Sequence, residues 1–229
     1  VHDGFNGKIL STPATKDLSR VMLEDTANIL SNSESGKQYD LENIYSERIV
    51  HHTFSLWDTV ELHKNHELGK GFSFYLKDAG HILGSSMFEI SYNGKKIVFT
   101  GDLGNSPSPL LRDTEFIENA DYVVMESVYG NRNHEERSER RENLKKIILE
   151  NYKNKGTLVV PIFSLERTQE FLYEINEMVE AGEVPSHPIF VDSPLAIKVT
   201  EVFYRHKNLF KDSVLQDISS GDDIFKFKG

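Results

Sequence analysis

The strongest constraint on how this 229-residue chain folds is one dipeptide, Asn93-Gly94, set between the apolar runs 87–92 and 95–100. Asn-Gly takes up the left-handed backbone that a two-residue turn between twisted antiparallel strands requires, so a β-hairpin is expected here. Upstream, Phe72, Phe74 and Leu76 alternate with Ser73 and Tyr75, the period of a half-buried strand. Downstream, residues 121–126 form a continuous apolar run that ends on an acid, Glu126, and read as a further strand.

The chain changes character on either side of this region. A short strand is expected at 8–11, then a helix capped by Thr15, with Leu18, Val21 and Met22 at helical spacing. Residues 37–70 carry little periodicity. After position 130, strand and helix patterns alternate. Leu144, Ile147, Ile148 and Tyr152 give a helix face, and 157–163 reads as a buried strand. Thr168, Phe171, Leu172, Ile175 and Val179 give the next helix, and 188–192 another strand. Ser193 and Pro194 then form an N-cap and first-turn pair for a helix bearing Ala196, Ile197, Thr200 and Phe203 on one face. That alternation predicts an α/β unit with a parallel sheet. Arg132, Arg137, Arg140 and Arg141, interleaved with Glu135, Glu136, Glu139 and Glu142, read as a solvated helix face held by i,i+4 pairs.

Composition narrows the function classes. With 38% hydrophobic and 27% charged residues the chain has a soluble globular composition. No run of 18 apolar residues occurs, so no transmembrane helix and no membrane partner are expected. The first residues lack the basic and apolar regions of a signal peptide, and a cytoplasmic location is the expectation. The absence of an initiator Met, and an end at Phe227-Lys228-Gly229 that closes no element, predict an internal piece of a longer protein. Cysteine is absent, so a metal would be held by His nitrogen and carboxylate oxygen. The net charge of -10 weighs against a nucleic-acid partner in bulk. An active-site groove on an acidic protein is nevertheless locally positive in places, and metal ions there carry their own charge.

Three loops stand at strand ends. Residues 78–85 place His81 beside Gly80 and shortly before Gly84, residues 100–104 contain Gly101-Asp102-Leu103-Gly104, and residues 125–130 begin Met125-Glu126-Ser127. A lone His in a turn is more often a surface residue, and Gly-Asp-x-Gly is a common turn. Together the loops put one imidazole and two carboxylates at strand ends, a donor set suited to zinc or manganese.

Residues 78–85, 100–104 and 126–132 resemble consecutive motifs of the metallo-β-lactamase superfamily in its β-CASP branch of RNA- and DNA-processing nucleases. The resemblance continues through Pro161-Ile162-Phe163-Ser164-Leu165-Glu166-Arg167-Thr168-Gln169-Glu170 and residues 191–203. It implies an α/β fold: a partial metallo-β-lactamase αββα sandwich at 1–130 and a partial β-CASP parallel α/β domain at 131–229. It implies zinc-dependent hydrolysis of RNA phosphodiester bonds, two zinc ions in the full-length protein, single-stranded RNA as substrate, and a homodimer among the expected assemblies. His81 corresponds to a metal-binding His, Asp102 to the carboxylate that bridges the two ions, and Glu126 to the acid that orders the site, with His81, Asp102 and Glu126 converging at one sheet edge. Two parts of the pattern are missing. The motif His-x-His-x-Asp-His does not occur here and is expected before Val1, and the late β-CASP histidines are expected beyond Gly229. The piece alone is therefore expected to be inactive.

Ser164, Arg167 and Ser193, at strand-to-helix junctions, are candidates for gripping substrate phosphate. Ordinary capping is the competing reading. His134, close after Glu126, is a candidate for the cleft, whereas His51, His52, His63 and His66 read as surface residues. The alternatives are a hydrolase of the same fold acting on DNA or another ester, and a catalytically inactive homologue that binds RNA or a protein partner.

Overall fold

The expected hairpin lies inside a five-stranded sheet in a computed structural model that describes residues 1, 3–34, 38, 42–132, 137–221 and 223–225. Its strands are β5, Ser86–Tyr92, and β6, Lys95–Phe99. Asn93 and Gly94 take φ of 47° and 73°, the double positive φ that the turn demands. Strand β4, Phe72–Asp78, pairs antiparallel with β5 and with β3, Asn65–Gly69. Strand β7, Tyr122–Val124, closes the order β3-β4-β5-β6-β7 by pairing parallel to β6. A separate parallel pair joins β1, Ile9–Ser11, to β2, Trp57–Thr59. The period-two reading of β4 holds, since Phe74 and Leu76 are buried and Ser73, Tyr75 and Lys77 are less so.

Helix α1, Pro13–Asn32, starts three residues earlier than expected. Thr12, not Thr15, is its N-cap: the Thr12 hydroxyl accepts from the Thr15 amide, and Pro13 occupies the first turn, where its missing N–H costs nothing. Two short helices, α2, Glu42–Tyr45, and α3, Glu47–Ser55, lie in the stretch that showed no period. The second half contributes α4, Arg137–Lys153, α5, Arg167–Glu180, α6, Pro194–Arg205, and α7, Asp212–Ser219. The architecture is mixed α/β.

Two expectations for the second half are corrected. Segments 157–163 and 188–192 pair with no strand among the described residues. Their side chains are not buried either: Val159 and Phe163 are each 81% exposed and Phe190 86%. An apolar run records a capacity to be covered, but a strand also needs a neighbour to accept its backbone bonds, and sequence period says nothing about that neighbour. Among the described residues, Arg140 and Arg141 of α4 pair with groups outside their own helix. Arg140 bonds Glu174 of α5 at 3.3 Å, and Arg141 and Lys145 both reach Glu183 at 3.0 and 3.3 Å, so they tie α4 to the α5 region.

The largest apolar cluster joins residues from both sides of position 130. Ala14 and Leu18 of α1, Leu83 of the 78–85 loop and Leu110 pack with Leu172, Val199, Val202, Phe203, Phe210 and Val214. Among the described residues no helix is long and apolar enough to cross a membrane.

Candidate active site

The 78–85 loop leaves β4 and returns into β5 with its backbone held at nearly every step. Gly80 N–H donates to Asp78 Oδ1 at 2.8 Å, and His81 and Ile82 N–H both donate to Ser85 Oγ at 3.1 Å. Leu83 N–H donates to Glu166 Oε2 at 3.1 Å. The Gly84 carbonyl accepts from the hydroxyls of Thr12 and Thr15 at 2.7 and 2.8 Å, which fixes the loop against the start of α1. Asp78 is largely buried, and burial, with the Glu115 carboxylate nearby, pushes its pKa above the usual carboxylate range despite the Gly80 bond.

The 100–104 loop follows β6. Thr100 N–H donates to Val124 O of β7 at 3.0 Å, and Leu103 N–H to Glu126 Oε1 at 2.7 Å. Glu126 thus holds the peptide next to Asp102. The two loops also clasp each other, because Gly104 N–H donates to Ala79 O at 2.8 Å. A Cβ on Gly104 would lie 1.8 Å from the Gly80 carbonyl oxygen, so only glycine permits this approach.

His81, Asp102 and Glu126 line one cavity of about 1390 Å³. Residues of the second half line it too, among them Arg132, Glu139, Arg140, Glu166, Arg167 and Glu170. Carboxylates, an imidazole and guanidinium groups therefore share one space. Arg132 also lies over the Tyr129 ring at 4.9 Å, within the ~6 Å reach of a cation–π contact. Arg167 pairs with Glu170 at 3.0 Å, and Arg140 is aimed by its bond to Glu174.

The remaining candidates fall elsewhere. Ser164 and Ser193 do not line the cavity. Their hydroxyls lie 3.4 Å apart, and Ser193 caps α6 by accepting from Ala196 N–H at 3.2 Å. Capping therefore accounts for Ser193. His63 bonds Glu115 at 2.9 Å, and His66 bonds the Glu61 carbonyl at 3.0 Å. His134 lies outside the described residues. Arg132 and Arg140 are exposed, as read from sequence, and also line the cavity, while the role of Glu166 was not read from sequence, since its contact to Leu83 spans 83 positions.

The donor types fit zinc, with one imidazole and one carboxylate on the same wall of a cysteine-free cavity. Their number does not complete a four-ligand site. Among the described residues no group of three His, Asp or Glu is placed to hold a metal ion.

Sequence comparison adds the family. Residues 168–228 match the Beta-Casp domain. The second half of the chain thus carries a Beta-Casp domain. The chain is similar to the endoribonuclease YSH1 of Kluyveromyces lactis, at 31% identity over 97% of the chain and 30% of that relative. The YSH1 endoribonuclease of Yarrowia lipolytica is 31% identical over 92% of the chain and 25% of its own length. The Saccharomyces cerevisiae YSH1 endoribonuclease is 29% identical over 97% of the chain and 30% of its own length. The chain thus spans less than a third of the length of these curated relatives.

Proposed function

We propose that the full-length protein containing this chain is a zinc-dependent hydrolase that cuts phosphodiester bonds in single-stranded RNA. The observation that carries the reading is the cavity that His81, Asp102 and Glu126 share with Arg132, Arg140 and Arg167. The relatives' names as endoribonucleases support RNA as the substrate.

His81 and Asp102 are the residues of this chain that would hold zinc, and further ligands would come from the rest of the longer protein. Zinc, when bound, acidifies a water and draws charge from the phosphoryl oxygens. Glu126 orients the Asp102 loop through the Leu103 amide rather than touching substrate. The arginines hold the phosphate, whose geometry matches the two-donor guanidinium fork. The lining also carries Asp102, Glu126, Glu139 and Glu170, so bound metal ions would supply the further positive charge that draws RNA to the cavity.

The test is Asp102→Ala in the full-length protein, assayed on labelled single-stranded RNA beside zinc content per chain. Loss of a metal-holding carboxylate removes several kcal/mol of charge stabilisation, so cleavage should fall by at least about 100-fold and zinc content should drop. The variant should retain the wild-type circular dichroism spectrum. Near-normal cleavage with full metal would remove Asp102 from the site. A wild-type protein that binds RNA and never cuts it would establish an inactive homologue, and preferential cleavage of DNA would move the substrate class.

A further inference from the structure

Glu166 lies at the junction between the two halves, immediately before α5, in a conformation that side chains rarely adopt. Its φ is 62° and its ψ -56°, and Arg167 N–H closes a three-residue turn onto Leu165 O at 2.8 Å. Such a turn is strained for a residue with a Cβ, and strain of this kind persists only where surrounding contacts hold it. One contact is visible: the Glu166 carboxylate accepts the Leu83 amide at 3.1 Å. Glu166 is 6% exposed, and its second oxygen has no hydrogen-bond partner among the described residues. The residue also belongs to the cavity wall. A buried carboxyl in a strained turn, with a single partner 83 positions away, is costly to retain for stability alone.

We propose that Glu166 is a positioning residue for His81: it reaches from the second half to clamp the Leu83 peptide, two residues beyond His81, and so fixes where the imidazole enters the cavity. The rest of the 78–85 loop is secured from its own half, by Asp78, Ser85, Thr12 and Thr15. Glu166 is the polar tie that, beside the packing of Leu83 against the second half, makes the imidazole's place depend on that half being docked. Burial, reinforced by the Glu170 carboxylate, raises the Glu166 pKa to about 8, so the neutral acid is the prevailing form at pH 7. A neutral carboxyl still accepts the Leu83 bond through its carbonyl oxygen, and a glutamine amide does the same.

The inference rests on the proposed zinc site, and its test separates the two. In the metal-free full-length protein, Glu166→Ala should speed amide exchange at Leu83 by at least about 10-fold, and Glu166→Gln should leave it close to wild type. With metal, Glu166→Ala should weaken zinc affinity and lower kcat by about 10- to 100-fold, the usual cost of losing a group behind a ligand, with KM little changed. Glu166→Gln should restore most of both. If Glu166→Ala does not fold, Glu166→Gly, which suits the positive φ, serves for the same comparison. A folded Glu166→Ala or Glu166→Gly with unchanged exchange at Leu83 would overturn the clamp. So would a Glu166→Gln variant as damaged as Glu166→Ala. A wild-type protein without RNA cleavage would sink the functional reading, while exchange at Leu83 and zinc affinity would still judge the clamp.

Discussion

At the scale of single residues, Glu166 makes a prediction that needs no substrate. Its pKa is raised from the ordinary 4.5 to about 8 in the folded protein, by burial first and by Glu170 second. The folded state therefore holds a proton that the unfolded state has released throughout that window. Stability from this group is fully present below the unfolded value and is lost as pH rises towards 8. Glu166→Gln stays neutral throughout. Its thermal midpoint should match wild type near pH 5 and exceed it at pH 8, by an amount corresponding to a few kcal/mol. Thermal melts of both proteins at the two pH values check this, and a difference that does not grow with pH would show that Glu166 is ionised in the fold. Asp78 and Glu174, both raised chiefly by burial, act with the same sign in both proteins.

At the scale of elements, the start of α1 and the His81 loop form one unit. Thr12 caps the helix and also donates to the Gly84 carbonyl, so a single hydroxyl serves both. Thr12→Ala should cost about 1–2 kcal/mol in chemical denaturation, the range for losing a cap. Thr12→Ser should recover most of it. Gly84 is less tolerant. A Cβ there would lie 2.7 Å from both Ala14 Cβ and Thr12 Oγ1, and the φ of 81° disfavours any side chain. Gly84→Ala should therefore cost about 2–4 kcal/mol, combining overlap and backbone strain. An alanine variant as stable as wild type would show that the loop does not pack on α1.

At the scale of the whole molecule, the shared core decides how the two halves respond to damage. Phe203 is fully buried in the cluster that also holds Ala14, Leu18 and Leu83. Removing its ring should cost about 3–5 kcal/mol. The chain has one tryptophan, Trp57, in β2 of the first half. If the halves unfold together, Phe203→Ala should shift the Trp57 fluorescence transition as far as it shifts the helical signal. Two separated transitions, with Trp57 unmoved, would mean that the halves are independent. His206 of the second half also bonds Asp17 of α1 at 2.8 Å, a polar contact on the same seam.

Much of this protein was set by local sequence. Asn93-Gly94 dictates its hairpin because the turn's backbone requirement is met by those two residues themselves. The alternation at Phe72, Phe74 and Leu76 dictates β4 because side chains on a strand point to opposite faces. The loops bearing His81, Asp102 and Glu126 were visible in the chain because they follow strand ends that period alone can locate. Other features depended on what each residue meets after folding. Thr12 became the cap once Pro13 began the helix, although the pattern pointed to Thr15. Segment 157–163 had the apolar run of a strand but no paired neighbour among the described residues, since pairing belongs to two segments and not to one. Arg140 read as solvated by its charged surroundings and is exposed, but its partner, Glu174 on another helix, could not be read from the local sequence. Glu166 shows the division most clearly. Its burial, its raised pKa and its bond to Leu83 all arise from groups distant in sequence, because burial and long-range electrostatics are properties of the packed interior and not of the chain.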